Sequence, residues 1–268
     1  MATVYETLLY HKMDRRLYKE VMAMGRIPEL ARNIISLWMW LELIGIKVIY
    51  HLQDITTSTS LFLSFIKEAE AILKVIRQDS PPSHKDELKT LPFTAAFSMK
   101  PINLQFFYYH SDVVVRGLTY LLNEIGTLIF NEEMNHMFHT YDIELSFAKQ
   151  QGVRPPCMPK KLAMQYNPQV IQSSSLEDHR SLFITFSKGL PLKREEIAEY
   201  FNKKLGHCVE RVMMERTPVG VAPMYGRIVF VIEALIDILL NGENIIKFTI
   251  KGRQVWGRKY IPRIGRKF

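Results

Sequence analysis

The sequence predicts an α+β protein, in which an all-α helical N-terminal region precedes a smaller β-α-β-β-α-β domain. In the first 150 residues, apolar side chains recur every three or four positions, which is the spacing of one helix face. Between Arg180 and Arg263, short apolar and aromatic runs alternate with helical segments. A proline-rich segment separates the two patterns, which indicates that they belong to different structural units.

The helical region contains five segments with this periodicity. Gly and Pro-Pro signals bound several of them, as expected of helix ends. Trp38 and Trp40 lie two positions apart and cannot share a helix face, so we expect one in the core and the other at the surface or at an interface. The predicted helices are Asp14–Met24, Glu29–Ile44, Leu61–Ile76, Ser111–Asn131 and Phe138–Gln150.

The chain is therefore predicted to have three parts: a helical domain over 1–150, a proline-rich linker over 151–176 and a β-containing domain over 177–268. Prolines at four positions break any periodic structure in the linker. The apolar stretch Leu162–Pro168 would either pack along a domain or dock on a protein partner. We expect the last domain to fold on its own.

The last domain follows the split β-α-β order, in which each helix connects two strands of one sheet. A helix over Lys193–Leu205 ends at Gly206, and Asn241-Gly242 ends the second helix. A short hairpin-like stretch, Lys247–Arg253, precedes the last strand. The four strands are predicted at Leu182–Phe186, Cys208–Glu215, Met224–Phe230 and Val255–Tyr260, and the second helix at Ile232–Leu240.

Strand alternation assigns each side chain to one face of the predicted sheet. One face is apolar and would pack on the helices. The other face would carry aromatic rings, which stack on bases, interleaved with guanidinium groups, which contact phosphates. That face consists of Phe183, Tyr225, Trp256 and Tyr260 with Arg227 and Arg258, and we predict that it binds single-stranded RNA.

This arrangement resembles an RNA-recognition motif (RRM), whose two central strands carry base-stacking aromatics. The resemblance implies a ferredoxin-like fold and RNA binding. It is partial, because Arg227 stands where the third-strand signature has its central outward aromatic. In addition, Pro223-Met224 replaces the basic residue and glycine of that signature, and Phe186-Ser187 replaces the Asn-Leu of the first. The alternative is therefore a protein-interaction module, whose face holds a peptide or the chain's own helical domain.

With Ser36–Glu42 and Val255–Tyr260 included, the whole chain resembles a poorly characterised plant family of proteins with a helical N-terminal half and one divergent RRM. The two widely spaced cysteines, Cys157 and Cys208, form no disulfide framework and fit a reducing compartment, so we expect an intracellular protein, nuclear or cytoplasmic and not secreted. RNA is the expected partner, and a protein partner could engage the helical domain or the linker. The N-terminus lacks the basic-then-apolar order of a signal peptide.

Positive charge is concentrated in the β-containing domain. The chain carries a formal charge of +8, and the residues from Glu177 onward hold 17 Lys and Arg against 10 Asp and Glu, a net +7. From Lys247 to Phe268 there are eight basic residues and no acidic one. This basic C-terminal tail could follow the RNA backbone, or it could be a solvated tail or an import signal.

No pattern predicts an enzyme, a cofactor or a metal site. The sequence has no phosphate-binding glycine loop and no nucleophile elbow. Glu133 and His136 form a single Glu-x-x-His, whereas a di-metal bundle site needs two copies and further carboxylates. The most apolar window, Ile34–Tyr50, is too short for a spanning helix and contains Glu42 and Lys47, so no membrane association is expected.

Overall fold

A computed structural model of the chain describes residues 2–55, 58–83, 90–98, 102–167, 176–186 and 192–262. The helices are α1 Val4–Tyr10, α2 Lys12–Ala23, α3 Pro28–Leu43, α4 Val48–Ile55, α5 Thr59–Val75, α6 Pro92–Ala95, α7 Leu104–Tyr109, α8 Ser111–Asn123, α9 Gly126–Ile129, α10 Glu132–Gln151, α11 Lys160–Ala163, α12 Arg194–Leu205 and α13 Ala234–Leu240. The strands are β1 Ser181–Phe186, β2 Val209–Met214, β3 Tyr225–Phe230, β4 Ile246–Ile250 and β5 Arg253–Lys259. We call residues 2–167 the helical region and residues 176–262 the sheet region.

The predicted α+β class is confirmed, with one antiparallel sheet following a long run of helices. The strand order is β2-β3-β1-β5-β4, and every neighbouring pair is antiparallel. The hairpin-like stretch before the last strand forms β4, which pairs with β5 at the edge of the sheet. The sheet therefore has one strand more than the four that the sequence predicted.

Helix α3 lies at the centre of the helical region. It contacts α2, α4, α5 and α8, so it is covered on all sides. Trp38 and Trp40 are consequently both buried, at 1% and 6% exposure, and the expected surface position for one of them is wrong. Opposite helix faces can both be core when a helix has neighbours all round.

The single helix predicted over 111–131 is two helices, because the backbone turns at Glu124 (φ −92°, ψ −101°) between α8 and α9.

Among the residues that the structure describes, no helix combines the length and the apolar character needed to cross a membrane.

Helices α12 and α13 form a layer between the sheet and the helical region. Phe201 of α12 packs edge-on against Phe230 of β3 and Phe248 of β4, with ring centroids 5.6 and 5.0 Å apart. Helix α13 is buried at six of its seven positions, which indicates packing on two sides. It contacts β5 on one side and α3 and α8 on the other. The apolar core thus runs without interruption from the sheet to the helical region.

Polar groups also join the two regions. The Asp79 carboxylate accepts hydrogen bonds from Lys204 Nζ at 2.9 Å, from the backbone N–H of Thr249 at 2.8 Å and from the Tyr200 hydroxyl. Lys204 Nζ also donates to the backbone oxygens of Arg77 and Gln78, which lie just beyond the end of α5. One acidic side chain of the helical region therefore holds both a helix and the edge strand of the sheet region.

The described part of the predicted linker folds back on the N-terminus. Val4 N donates to Met164 O at 2.8 Å, and Tyr166 N donates to Ala2 O at 2.9 Å. Leu162 is fully buried in a small apolar cluster with Leu8 and Phe138. The apolar peptide of the linker thus packs along the helical region. Residues 168–175 of the linker lie outside the described residues.

Candidate nucleic-acid interface

The central strand β1 lines up the predicted binding residues in two rows across the sheet. In the first row, Phe183 lies between Arg227 of β3 and Arg258 of β5. In the second row, Thr185 lies between Tyr225 and Trp256. These side chains alternate along each strand with buried residues, so they share the face opposite α12 and α13. The face assignment made from strand alternation agrees with this placement.

Glycines on the helix-facing side make the sheet close-packed at this point. Gly226 and Gly257 lie on either side of Ile184, one on each neighbouring strand. A Cβ atom at Gly257 would lie 2.8 Å from Leu182 Cδ2, and one at Gly226 would lie 2.9 Å from Met213 O. Side chains at these positions would force the strands away from their neighbours. The glycines therefore help to hold the two rows of the opposite face in register.

One part of the face is open, and we call it the open patch: Phe183, Thr185, Tyr225, Trp256, Arg258 and Lys247. Tyr225 and Trp256 are 42% and 46% exposed. The Arg258 guanidinium carbon lies 4.7 Å from the Phe183 ring centroid, and Lys247 Nζ lies 5.4 Å from that of Trp256. Cation–π contacts of this kind keep positive charge beside the exposed rings. The patch therefore combines stacking surfaces with groups that attract phosphate.

The other part of the face is closed by charge pairing within the chain. Arg227 donates to Asp178 Oδ1 at 2.6 Å and to Ser181 Oγ at 2.9 Å, and it lies 3.3 Å from a Glu177 oxygen. Its guanidinium carbon lies 3.9 Å from the Tyr260 ring centroid. Arg227 and Tyr260 were both predicted to face RNA. Arg227 is engaged with two carboxylates and with the Tyr260 ring.

The turn 177–180 before β1 supplies these carboxylates, and we call it the acidic turn. Glu177 pairs with Arg211 of β2, and the hydrogen bond from Arg211 lowers the pKa of the Glu177 carboxyl. Arg180 donates to Glu210 and to the backbone oxygen of Phe230, which anchors the turn to β2 and β3. Glu177 and Asp178 were not predicted as site residues from the sequence. The feature of the sequence that could have identified them is the pair of adjacent acidic residues shortly before the first strand of a basic domain.

The helical region lies on the opposite side of the sheet from the open patch. Its α8 contacts α12 and α13, and its α3 contacts α13; α12 and α13 themselves cover the apolar face. Within the described parts of the chain, the exposure of Tyr225 and Trp256 leaves their rings accessible to a ligand. The basic residues Arg263, Arg266 and Lys267 of the predicted tail lie outside the described residues.

Comparison with known proteins gives no relative: no model of a protein family, no curated protein and no solved structure matches this chain.

Proposed function

We propose that the protein binds single-stranded RNA through the open patch. The observation that carries the proposal is the pair of exposed rings, Tyr225 and Trp256, on the two strands that flank β1. Two strand spacings separate these positions by about 10 Å, which gives each ring room for its own base. Arg258 and Lys247 would contact the phosphates beside them, because both lie next to a stacking ring.

We further propose that the sheet region is an RRM-like, ferredoxin-like domain. The order β-α-β-β-α-β, with the extra strand β4 inserted between α13 and the last strand β5, supports this, as does the strand order β2-β3-β1-β5 within the larger sheet. In this scheme β1 and β3 are the two central strands that carry the stacking aromatics. The added edge strand β4 brings Lys247 opposite Trp256 and widens the basic rim of the patch.

A binding assay with the full-length protein tests the RNA proposal. Fluorescence anisotropy of a labelled pool of short single-stranded RNA should give saturable binding that weakens as salt is raised. We expect Tyr225→Ala and Trp256→Ala each to cost about 1–3 kcal/mol of binding free energy, because each removes one stacking platform. Tyr10→Ala is the matched control, since Tyr10 is an exposed aromatic of α1 that lies outside the sheet region.

Equal loss of affinity for Tyr10→Ala and Trp256→Ala would contradict the proposal. Unchanged RNA affinity for both folded sheet variants would also contradict it. The alternative, a protein-interaction module, predicts that the same two variants lose binding to a peptide library while RNA gives no saturable signal. Duplex RNA should bind more weakly than single strands, because paired bases cannot reach the rings.

A further inference from the structure

A polar groove of about 550 Å³ lies along the outer edge of β4, where the sheet region meets the end of α5. Residues Ile246, Lys247 and Thr249 line it on the side of the sheet, and Lys74 and the segment 77–83 line it on the side of the helical region. Lys247 is also a member of the open patch. The groove therefore adjoins the face to which we assign RNA binding.

The two acidic side chains that line the groove are already paired with cations of the chain. Asp79 accepts a hydrogen bond from Lys204 Nζ at 2.9 Å, and Glu243 lies 3.3 Å from the Arg77 guanidinium. Pairing with a cation reduces the repulsion that each carboxylate exerts on an approaching phosphate.

Two lysines of the groove, one from each region, have no acidic partner within the described parts of the chain. Lys74 is exposed in the last turn of α5. Lys247 lies with its Nζ 5.4 Å from the Trp256 ring centroid and belongs to β4. A lysine ammonium is a common ligand of phosphate. Each side of the groove thus offers one cation to an RNA backbone.

The free edge of β4 adds a backbone donor. Thr249 N donates to Asp79 Oδ2 at 2.8 Å, so the N–H of Thr249 points away from β5. In an antiparallel pair, residues two positions apart present their backbone groups on the same side. The N–H of Lys247 therefore also lies on the edge that borders the groove, where it can donate to a phosphate oxygen.

We propose that the RNA strand passes from Trp256 over Lys247 into this groove, so that α5 of the helical region contributes to RNA binding through Lys74. This path depends on the proposed function, because the groove receives RNA only if the open patch binds it. Charge favours this direction, since the acidic turn borders the other side of the sheet face. The contacts go to the RNA backbone, so they lengthen the footprint without reading a base.

Fluorescence anisotropy of the full-length protein with oligouridylates of two lengths tests this path. A trinucleotide covers the open patch alone, whereas a strand of about ten nucleotides also reaches the groove. Lys74→Gln should leave trinucleotide affinity unchanged. It should weaken binding of the longer strand by about fivefold at about 0.1 M salt and make its salt slope shallower by about 0.7, as expected for one lost phosphate contact.

Lys67→Gln is the matched control, because it removes one exposed lysine from the same helix at a position outside the groove. It should leave both affinities unchanged. Photo-cross-linking gives a second measurement that does not depend on affinity: a longer strand containing 4-thiouridine should cross-link to a peptide that includes Lys74 or the segment 77–83, and the trinucleotide should not.

Equal losses for Lys74→Gln and Lys67→Gln would overturn the inference, because they would indicate a general effect of charge. So would an unchanged affinity of Lys74→Gln for the longer strand, or the absence of that cross-link. In each of these cases the RNA proposal itself stands if Tyr225→Ala and Trp256→Ala still weaken trinucleotide binding. Absence of saturable binding for both RNAs would overturn the inference and the proposed function together.

Discussion

At the scale of single residues, the two arginines of the sheet face have different roles. Arg258 is exposed, lies over the Phe183 ring and donates to the backbone oxygen of Lys259, whereas Arg227 is half-buried and bonded to Asp178 and Ser181. The sequence predicted the same role for both arginines. Strand alternation shows which face of the sheet a side chain lies on, but it does not show which groups surround that side chain. Substituting each arginine in turn therefore distinguishes a contribution to RNA binding from a contribution to stability.

We predict that Arg227→Ala lowers the free energy of unfolding by about 1–3 kcal/mol, because Asp178 loses a charged hydrogen-bond donor. Arg258→Ala should change stability by less than about 0.5 kcal/mol, as expected of an exposed residue. Instead, Arg258→Ala should weaken RNA binding and make the slope of log affinity against log salt shallower by about 0.7. Urea unfolding and salt-dependent anisotropy measure the two effects. The reverse ranking in the unfolding experiment would show that the acidic turn does not stabilise the sheet.

The two cysteines should also differ in reactivity. Cys208 is buried, and burial raises the pKa of its thiol to about 12, while Cys157 is exposed. Because the thiolate is the reactive form, Cys208 should be inert at neutral pH in the folded protein. A thiol reagent should therefore modify one cysteine in the native chain and two in denaturant. Cys157→Ser is the control and should leave the native chain unlabelled; rapid labelling of that variant would show that the region around Cys208 opens.

At the scale of elements, the contact between α3 and α8 depends on one glycine. Gly117 of α8 faces Trp40 of α3, and a Cβ atom there would lie 2.1 Å from Trp40 Cδ1. The indole ring thus occupies the space that a side chain would need. The close packing of Trp40 therefore explains why a glycine stands in the interior of α8, although glycine is a poor helix former.

We predict that Gly117→Ala lowers the free energy of unfolding by about 1–3 kcal/mol through overpacking. A decrease in the free energy of unfolding would indicate overpacking, because the same substitution in an exposed helix interior would increase that free energy by about 1 kcal/mol. Thermal or urea unfolding measures the change. The double variant Trp40→Leu with Gly117→Ala should lose less than the sum of the two single variants, since the clash is absent. Additive losses would mean that the two residues do not limit each other.

At the scale of the whole molecule, the helical and sheet regions share one core and a polar junction. The independent folding of residues 177–268 stays a prediction, but the burial of α13 on two sides argues against it. Removing the helical region would expose the apolar side of α13 that now contacts α3 and α8. Loss of such burial costs about 25 cal/mol for each Å² of apolar surface.

Asp79→Ala tests the junction. We predict that it lowers the free energy of unfolding by about 3 kcal/mol, because Lys204 is left largely buried without its acidic partner. Asp112→Ala is the matched control: its ion pair with Arg116 is exposed on α8, and we expect a loss below about 1 kcal/mol. Equal effects of the two variants would show that the junction contributes no more than a surface pair. A second unfolding transition in the Asp79 variant would show that the two regions can unfold separately.

Periodicity and alternation in the sequence predicted most of the long helices, four of the five strands and the two faces of the sheet, because these patterns are local properties of the chain. Alternation placed Phe183, Tyr225 and Trp256 on one face for that reason. Which side chains of that face are available to a ligand depends instead on tertiary contacts. The pairing of Arg227 with Asp178 joins residues 49 positions apart, and the burial of Trp40 depends on Gly117 in another helix. Such contacts follow from which surfaces meet, and no local pattern records them.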